Sequence, residues 1–200
     1  MGLFRELRTK LGLRRKKVTD RSYISAAYYQ REHENRDKYQ DNNWLLAEED
    51  RMLACGPKTI VEIGVGNGKF LRQVADKIVS GVGLDWAISP LTVGLPSNIE
   101  IRRSDVVNDA IPSADLVCSA DVLEHFHPND IDSVVAKLHT AGKFNFHVIA
   151  CYDDGHSHLT IMPPQKWLKK FTAQSDTYKM VDTRQRRDSK EYLVCVIANY

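Results

Sequence analysis

Apolar positions in the middle of the chain predict a strand, a glycine turn and a helix, in that order. Four of the five residues 59–63 are β-branched, as is typical of a buried strand. Alternating glycines follow, and a helical pattern begins at Lys69. A second apolar run, residues 78–84, ends at Asp85. Because glycine lets a backbone approach a ligand where side chains would block it, we expect this turn to border a binding site.

The remaining pattern predicts further strands that are connected by helices. Residues 86–98 are broken by Pro and Gly and are barely long enough for a parallel crossover, which needs about a dozen residues. We therefore expect no more than one helical turn there. Longer helices are predicted at residues 129–138 and from Pro163 onward. Further strands are predicted at residues 99–102, 114–120, 143–151, 179–184 and 191–200.

These elements predict an α/β fold with a single seven-stranded sheet. The sheet should be mostly parallel with an antiparallel last strand, and helices should cover both of its faces. Residues 20–55 add a helical, polar pattern that ends at Gly56-Pro57. We expect residues 1–55 to form basic amphipathic and lid helices, and residues 56–200 to form the α/β domain.

Charge is concentrated at the N-terminus. Residues 1–17 contain seven Lys and Arg against one Glu, although the whole chain of 200 residues carries a net charge of only +2. Leu3, Phe4, Leu7 and Leu11 share one helical face, so this segment resembles a short helix that docks on an anionic membrane or a partner protein. The alternatives are a helix packed on its own domain or a frayed tail. Nucleic acid is the less favoured partner, because no basic stripe interleaved with aromatics extends the charge.

Cysteine spacing and hydropathy predict a cytoplasmic protein. The four cysteines are widely separated and form no C-x-x-C pair, which favours reduced thiols. No apolar run approaches the roughly 20 residues of a membrane span, and the basic start lacks the apolar core of a signal peptide. We therefore expect a cytoplasmic chain, with a peripheral position at the inner face of a membrane if residues 1–17 dock there.

The glycine turn reads Glu-x-Gly-x-Gly-x-Gly, whereas dinucleotide sites read Gly-x-Gly-x-x-Gly. This pattern, followed by Asp85, resembles the first motif of the Rossmann-like (class I) methyltransferases that use S-adenosyl-L-methionine (SAM). The resemblance implies that the glycine turn faces the methionine part of SAM, that Asp85 binds the ribose and that Asp105 binds the adenine amino group. Trp86 is either a cover for the adenine or a core residue. The expected cofactor-binding residues are Glu62, Gly64, Gly66, Gly68, Asp85, Trp86, Asp105, Val106 and Ser119.

Acids and histidines follow the next two predicted strands. Asp121, Glu124 and His125 come after the fourth strand, and His158 comes after the fifth. On one helical turn, Asp121, Glu124 and His125 would share a face. We expect catalytic roles for His125 and His158, and a divalent metal of unassigned identity held by Asp121, Glu124, His125 and His158. The alternative is that Glu124 and His125 only cap the loop.

The sequence thus predicts a SAM-dependent methyltransferase that acts on oxygen, with either a histidine base or a metal activating the hydroxyl. We expect a small polar molecule, a sugar, or a lipid-linked glycan or quinone as the acceptor. The Asp-x-x-Glu-His segment is also similar to the Glu-x-x-Glu-His of small-RNA 3′-end methyltransferases, so RNA ribose 2′-O-methylation is an alternative. A SAM-binding scaffold without catalysis is another. Candidate aromatics for an acceptor lid are Tyr23, Tyr28, Tyr29, Tyr39 and Trp44.

Overall fold

The structure is a computed structural model that describes residues 24–186, 189 and 191–200. The predicted basic helix at residues 1–17 and the lid candidate Tyr23 lie outside the described residues. None of the helices in the described part is both long and apolar enough to cross a membrane.

The described residues form six α-helices and seven strands, joined in places by single 3₁₀ turns. The helices are α1 (Ala26–Asn35), α2 (Asp37–Asp41), α3 (Glu49–Leu53), α4 (Lys69–Val74), α5 (Ile131–Ala141) and α6 (Pro164–Thr172). The strands are β1 (Thr59–Ile63), β2 (Ser80–Asp85), β3 (Ile99–Arg103), β4 (Ala114–Ala120), β5 (Gly142–Ala150), β6 (Lys179–Gln185) and β7 (Leu193–Ala198). The 3₁₀ turns are Leu46–Glu48, Ala75–Lys77, Pro90–Thr92 and Leu123–His125.

All seven strands belong to one sheet in the order β3-β2-β1-β4-β5-β7-β6. β1 to β5 pair in parallel, and β7 runs antiparallel to both β5 and β6. This arrangement confirms the predicted fold class. Because β1 to β5 are parallel, their carboxyl ends meet at one edge of the sheet, where ligands bind in folds of this kind.

Two layers of core cover the sheet, one on each face. In β1, Ile60 packs into the cluster that includes α4, while Val61 and Ile63 pack into the cluster that includes α5 and α6. Strands buried on both faces read as nearly continuous apolar runs, as the sequence does here. Helices on both faces were predicted and are confirmed.

One local prediction is confirmed, and another has different bounds. The connection after β2 contains only the 3₁₀ turn Pro90–Thr92, as expected. The helix predicted at residues 129–138 instead spans Ile131–Ala141, and Gly142 begins β5. An added Cβ at Gly142 would lie 2.6 Å from the carbonyl oxygen of Phe144, so the strand needs glycine at this position.

Helix α1 is held across the carboxyl edge of the sheet. The side chain of Ser25 accepts a hydrogen bond from the backbone N–H of Tyr28 and caps the helix. Gln30 then bonds both the carbonyl and the N–H of Ile88, and His33 lies 3.9 Å from Asp85. These contacts place α1 over the end of β2.

Candidate active site

A cavity of about 1780 Å³ lies at the carboxyl edge of the sheet. Its wall combines the glycine turn after β1, the ends of β2, β3 and β4, the loop after β5 and helix α1. Ten of the thirteen predicted site residues line this cavity.

The glycine turn approaches the β4 end too closely for side chains. An added Cβ at Gly64 would lie 2.2 Å from Cγ2 of Val122, and the backbone of Gly64 is left-handed with φ of 68°. Gly66 is also left-handed and lines the cavity, and an added Cβ there would make only ordinary contacts, at 3.9 Å from Gly64 and His33. The turn therefore presents backbone, rather than side chains, to the cavity.

Asp85 lines the cavity and is tied to the glycine turn. One of its carboxylate oxygens accepts the N–H of Gly66 at 2.9 Å, and the other accepts the N–H of Ala87 at 3.0 Å. These two bonds fix the carboxylate at the end of β2. Glu62 also borders the cavity, but it is buried and its Oε2 has no hydrogen-bond partner among the described residues. Burial raises the pKa of Glu62 well above its usual range, with an opposing effect from Asn43.

The end of β3 supplies the other predicted cofactor contacts. Asp105 borders the cavity, and its carboxylate accepts the N–H of Val107 and the amide of Asn108. Val106 is buried at the cavity wall. The Trp86 ring is 38% exposed and lies 6.5 Å from the ring of Tyr29, so it borders the cavity and is not a core residue.

Two predicted cofactor residues do not line the cavity. Ser119 is fully buried on the α6 face of the sheet, where its hydroxyl bonds Nδ1 of His147 at 2.9 Å. Alternation along β4 turns Ser119 into the core, so its position does not support the prediction of a cofactor contact. Gly68 is the left-handed residue that starts α4, and it shapes the turn from behind the cavity wall.

Glu124, His125 and His158 meet beside the cavity, and we call them the lip cluster. One ligand atom from each of the three lies within 4.8 Å of the others. The two imidazole rings are 4.9 Å apart, and Nε2 of His158 lies 3.8 Å from Glu124. The predicted convergence of the loops after β4 and β5 is confirmed for these three residues.

Backbone carbonyls orient both imidazoles of the lip cluster. Nδ1 of His158 bonds the carbonyl of Tyr152, and Nδ1 of His125 lies 3.1 Å from the carbonyl of Ser157. A carbonyl only accepts hydrogen bonds, so these contacts favour a proton on each Nδ1 and a lone pair on each Nε2. Protein ligands to metals are commonly fixed in this way.

Burial controls the charge of the lip cluster. It lowers the pKa of His125 to about 4, with a further contribution from His158, so the imidazole is neutral at pH 7. Nearby acids act to raise this pKa, but desolvation outweighs them. Burial raises the pKa of Glu124 well above its usual range, and the carboxyl Oε2 has no hydrogen-bond partner among the described residues.

Asp121 does not join the lip cluster. It precedes the 3₁₀ turn with a left-handed φ of 54°, so it does not share a helical face with Glu124 and His125. Both of its carboxylate oxygens instead accept Nη1 of Arg186, at 2.7 and 2.6 Å. The prediction of Asp121 as a member of the metal-ligand group is therefore not supported by its geometry. Arg186 itself was not predicted, since no local motif marks it.

Among the lid candidates, Tyr29 reaches the lip cluster directly. Its hydroxyl lies 3.1 Å from Nδ1 of His125, although 96 residues separate them in sequence. Tyr39 and Trp44 also line the cavity, whereas Tyr28 is buried in the core. The sequence identified the aromatic group but not which ring meets the histidines.

Comparison with known proteins adds the fold family. No family model matches the chain, and no curated protein matches it. Solved structures do match, at low sequence identity. One is the 1,6-didemethyltoxoflavin-N1-methyltransferase of Burkholderia thailandensis, with a TM-score of 0.69 and 14% identity over 86% of this chain and 84% of that one.

Two further matches have the same architecture. NodS, an N-methyltransferase of Bradyrhizobium japonicum, has a TM-score of 0.65 and 16% identity over 90% of this chain and 97% of that one. The magnesium protoporphyrin IX methyltransferase of Synechocystis has a TM-score of 0.63 and 12% identity over 89% and 96%. All three were solved with S-adenosylhomocysteine (SAH) bound. The chain therefore has the Rossmann-like fold of the class I SAM-dependent methyltransferases.

Proposed function

We propose that this chain transfers the methyl group of SAM to a hydroxyl oxygen of a small polar acceptor. The observation that carries the proposal is that one cavity joins the glycine turn and Asp85 to the lip cluster. The named acceptors or products of similar structures, such as 1,6-didemethyltoxoflavin and magnesium protoporphyrin IX, are small molecules. A sugar, or a lipid-linked glycan or quinone, remains within the proposed acceptor class.

The chain's part in the reaction is to align the acceptor and to remove a proton. The acceptor oxygen bonds to the methyl carbon while the carbon–sulfur bond breaks, and its electron pair stays on sulfur to give SAH. Because SAM is already an activated electrophile, alignment supplies most of the rate. Without a metal, the hydroxyl proton passes to a lone pair at the lip, where Nε2 of His125 and His158 are the available nitrogens. If those nitrogens held a metal, the proton would leave to solvent.

The lip cluster also fits a divalent metal. Glu124 has a buried oxygen with no hydrogen-bond partner among the described residues, and both histidines have Nδ1 tied to carbonyls. A divalent ion held there would lower the pKa of the acceptor hydroxyl. We favour this route over a plain base, because burial lowers the pKa of His125 to about 4 and makes it a weak proton acceptor.

Metal binding can be tested without knowing the acceptor. When Mn²⁺ is titrated into the full chain, the electron paramagnetic resonance signal of the free ion should be suppressed until about one ion per chain has been added. Glu124→Gln and His158→Ala should each weaken binding by about tenfold or more. The control is Glu100→Gln, since Glu100 is exposed and bonds only Arg102 among the described residues. Equal Mn²⁺ affinity in all variants would reject a metal site at the lip cluster and leave a histidine as the base.

Methyl transfer is tested with methyl-labelled SAM. The full chain should label a component of a small-molecule extract, and His125→Ala should reduce the rate by about a hundredfold or more, the usual scale for a lost acid–base group. Chelator should abolish labelling if the metal is required. Label that appears in total RNA but not in the small-molecule extract would replace the proposal with RNA methylation. Tight SAM binding with no label in either would indicate a scaffold.

A further inference from the structure

Arg186 follows β6 and reaches across the sheet edge to the β4 end. Its Nη1 bonds both oxygens of Asp121, and its guanidinium stacks on Trp44, with Cζ 3.8 Å from the ring centroid. Arg186, Asp121 and Trp44 all line the same cavity as the glycine turn. The guanidinium is therefore fixed in position by an ion pair on one side and an aromatic face on the other.

Asp121 leaves the second arm of this guanidinium without a partner, although the Tyr152 side chain also interacts with Arg186. Asp121 places both oxygens on Nη1, although a carboxylate usually bridges two nitrogens of arginine. Nη2 is buried and has no hydrogen-bond partner among the residues that the structure describes, and the whole side chain is only 6% exposed. A buried, charged donor without an acceptor is unfavourable, so this arm indicates a ligand atom that accepts its hydrogen bonds.

The surroundings of Arg186 suit a ligand that spans both halves of the cavity. Trp44 follows Asn43, whose side chain bonds Asn67 inside the glycine turn. On the other side, Tyr152 borders both the Arg186 region of the cavity and His158, with rings 5.1 Å apart. The free arm thus lies near the place where cofactor and acceptor would meet.

We propose that Nη2 of Arg186 binds a carboxylate of a molecule in this cavity, with Asp121 and Trp44 holding the guanidinium in place. This inference rests on the proposed function. Two molecules could bring the carboxylate, namely the cofactor through its methionine part and an acidic acceptor. A carboxylate suits the site because its oxygens accept charge-assisted hydrogen bonds from the guanidinium N–H groups.

The cofactor source is tested by calorimetric titration of the full chain with two ligands. SAH carries the amino-acid carboxylate, whereas 5′-methylthioadenosine shares the adenosine and the thioether but lacks it. If the cofactor brings the carboxylate, Arg186→Gln should lower the affinity for SAH by about tenfold or more and leave the affinity for 5′-methylthioadenosine unchanged. The control is Arg102→Gln, because Arg102 is exposed and bonds Glu100 outside the cavity.

The acceptor source is tested with benzoate and its neutral counterpart benzamide, titrated into protein saturated with SAH. If the acceptor brings the carboxylate, benzoate should bind about tenfold more tightly than benzamide, and Arg186→Gln should remove the difference. Arg186→Lys keeps the charge but not the planar fork, so it should restore only part of the preference.

A positive result in either titration supports the inference and identifies the source. The inference is overturned if Arg186→Gln changes SAH affinity by less than about threefold and benzoate shows no preference. If Arg186→Gln fails to fold, the affinity of the wild-type chain for SAH is compared with its affinity for the carboxamide of SAH. Weaker binding of the carboxamide then supports the cofactor source, and equal affinities reject it. If neither SAH nor 5′-methylthioadenosine binds the wild-type chain, the proposed function fails, while the benzoate titration still tests Arg186.

Discussion

The two halves of the cavity are assembled in different ways. In the cofactor half, at the ends of β1 to β3, Asp85 bonds the glycine turn across 19 residues of sequence. In the acceptor half, at the ends of β4 to β7, Tyr29 meets His125 across 96 residues and Arg186 meets Asp121 across 65. The first half is encoded in a local pattern, whereas the second exists only once the sheet has formed.

The largest expected effect concerns the glycine turn of the cofactor half. Gly64→Ala should lower the free energy of unfolding by about 3 kcal/mol, because the added Cβ clashes with Val122 and the left-handed backbone is strained. Gly94 has nearly the same φ, 70°, but open space around it. Gly94→Ala should therefore cost only about 1 kcal/mol in urea unfolding. Equal losses in the two variants would refute a close approach at Gly64.

The same contrast explains how much the sequence could predict. The glycine turn and the mostly parallel seven-stranded sheet were predicted from local patterns, and Asp85 and Asp105 from the family resemblance. The structure contains this sheet, and the turn, Asp85 and Asp105 line its cavity. Asp121 was misplaced because its left-handed backbone breaks the helical spacing on which that prediction relied.

Other parts of the acceptor half had no sequence signal. Arg186 follows the strand at the edge of the sheet. Its partners are Asp121, which follows β4, and Trp44, which precedes β1. The Tyr29–His125 contact depends on how α1 crosses the sheet. Contacts of this kind follow from tertiary packing, which no local spacing records.

The next effect concerns a buried histidine beneath the acceptor half. His147 is fully buried between Ser119 and Asn145, and burial lowers its pKa to about 3. The unfolded chain then binds the proton more readily than the folded one. The contribution of His147 to the free energy of unfolding should be fully present above about pH 6.5. It should fall as the pH drops, by about 2 kcal/mol at pH 5.

His147→Gln should remove this part of the pH dependence, measured by urea unfolding at pH 5 and pH 8. His127→Gln serves as the control, because His127 is exposed and its Nδ1 accepts only an exposed hydrogen bond from the N–H of Asn129. An unchanged difference between pH 5 and pH 8 in His147→Gln would show that another group is responsible, His125 being the first candidate.

A smaller effect is expected at the ribose position of the cofactor half. Asp85→Asn keeps the shape of the side chain but removes its charge. It should weaken the binding of SAH about tenfold, or by about 1.4 kcal/mol. Asp76→Asn is the matched control, since Asp76 is exposed on the 3₁₀ turn after α4. Calorimetric titration measures both, and unchanged affinity in folded Asp85→Asn would reject the ribose assignment.

The smallest effect separates the core from the cavity. Ser119→Ala should lower the free energy of unfolding by about 1 kcal/mol, because His147 loses a buried hydrogen bond. SAH affinity should stay within about twofold of the wild-type value. A larger loss of affinity would return Ser119 to the cofactor site.

Titration of the wild-type chain with SAH tests the central claim most directly, because every assignment in the cavity depends on the cofactor binding there. We predict saturable binding of one SAH per chain with a Kd of about 10 µM or tighter, near −7 kcal/mol. Absence of saturable binding by a chain that unfolds cooperatively would contradict the claim that this cavity is a SAM site.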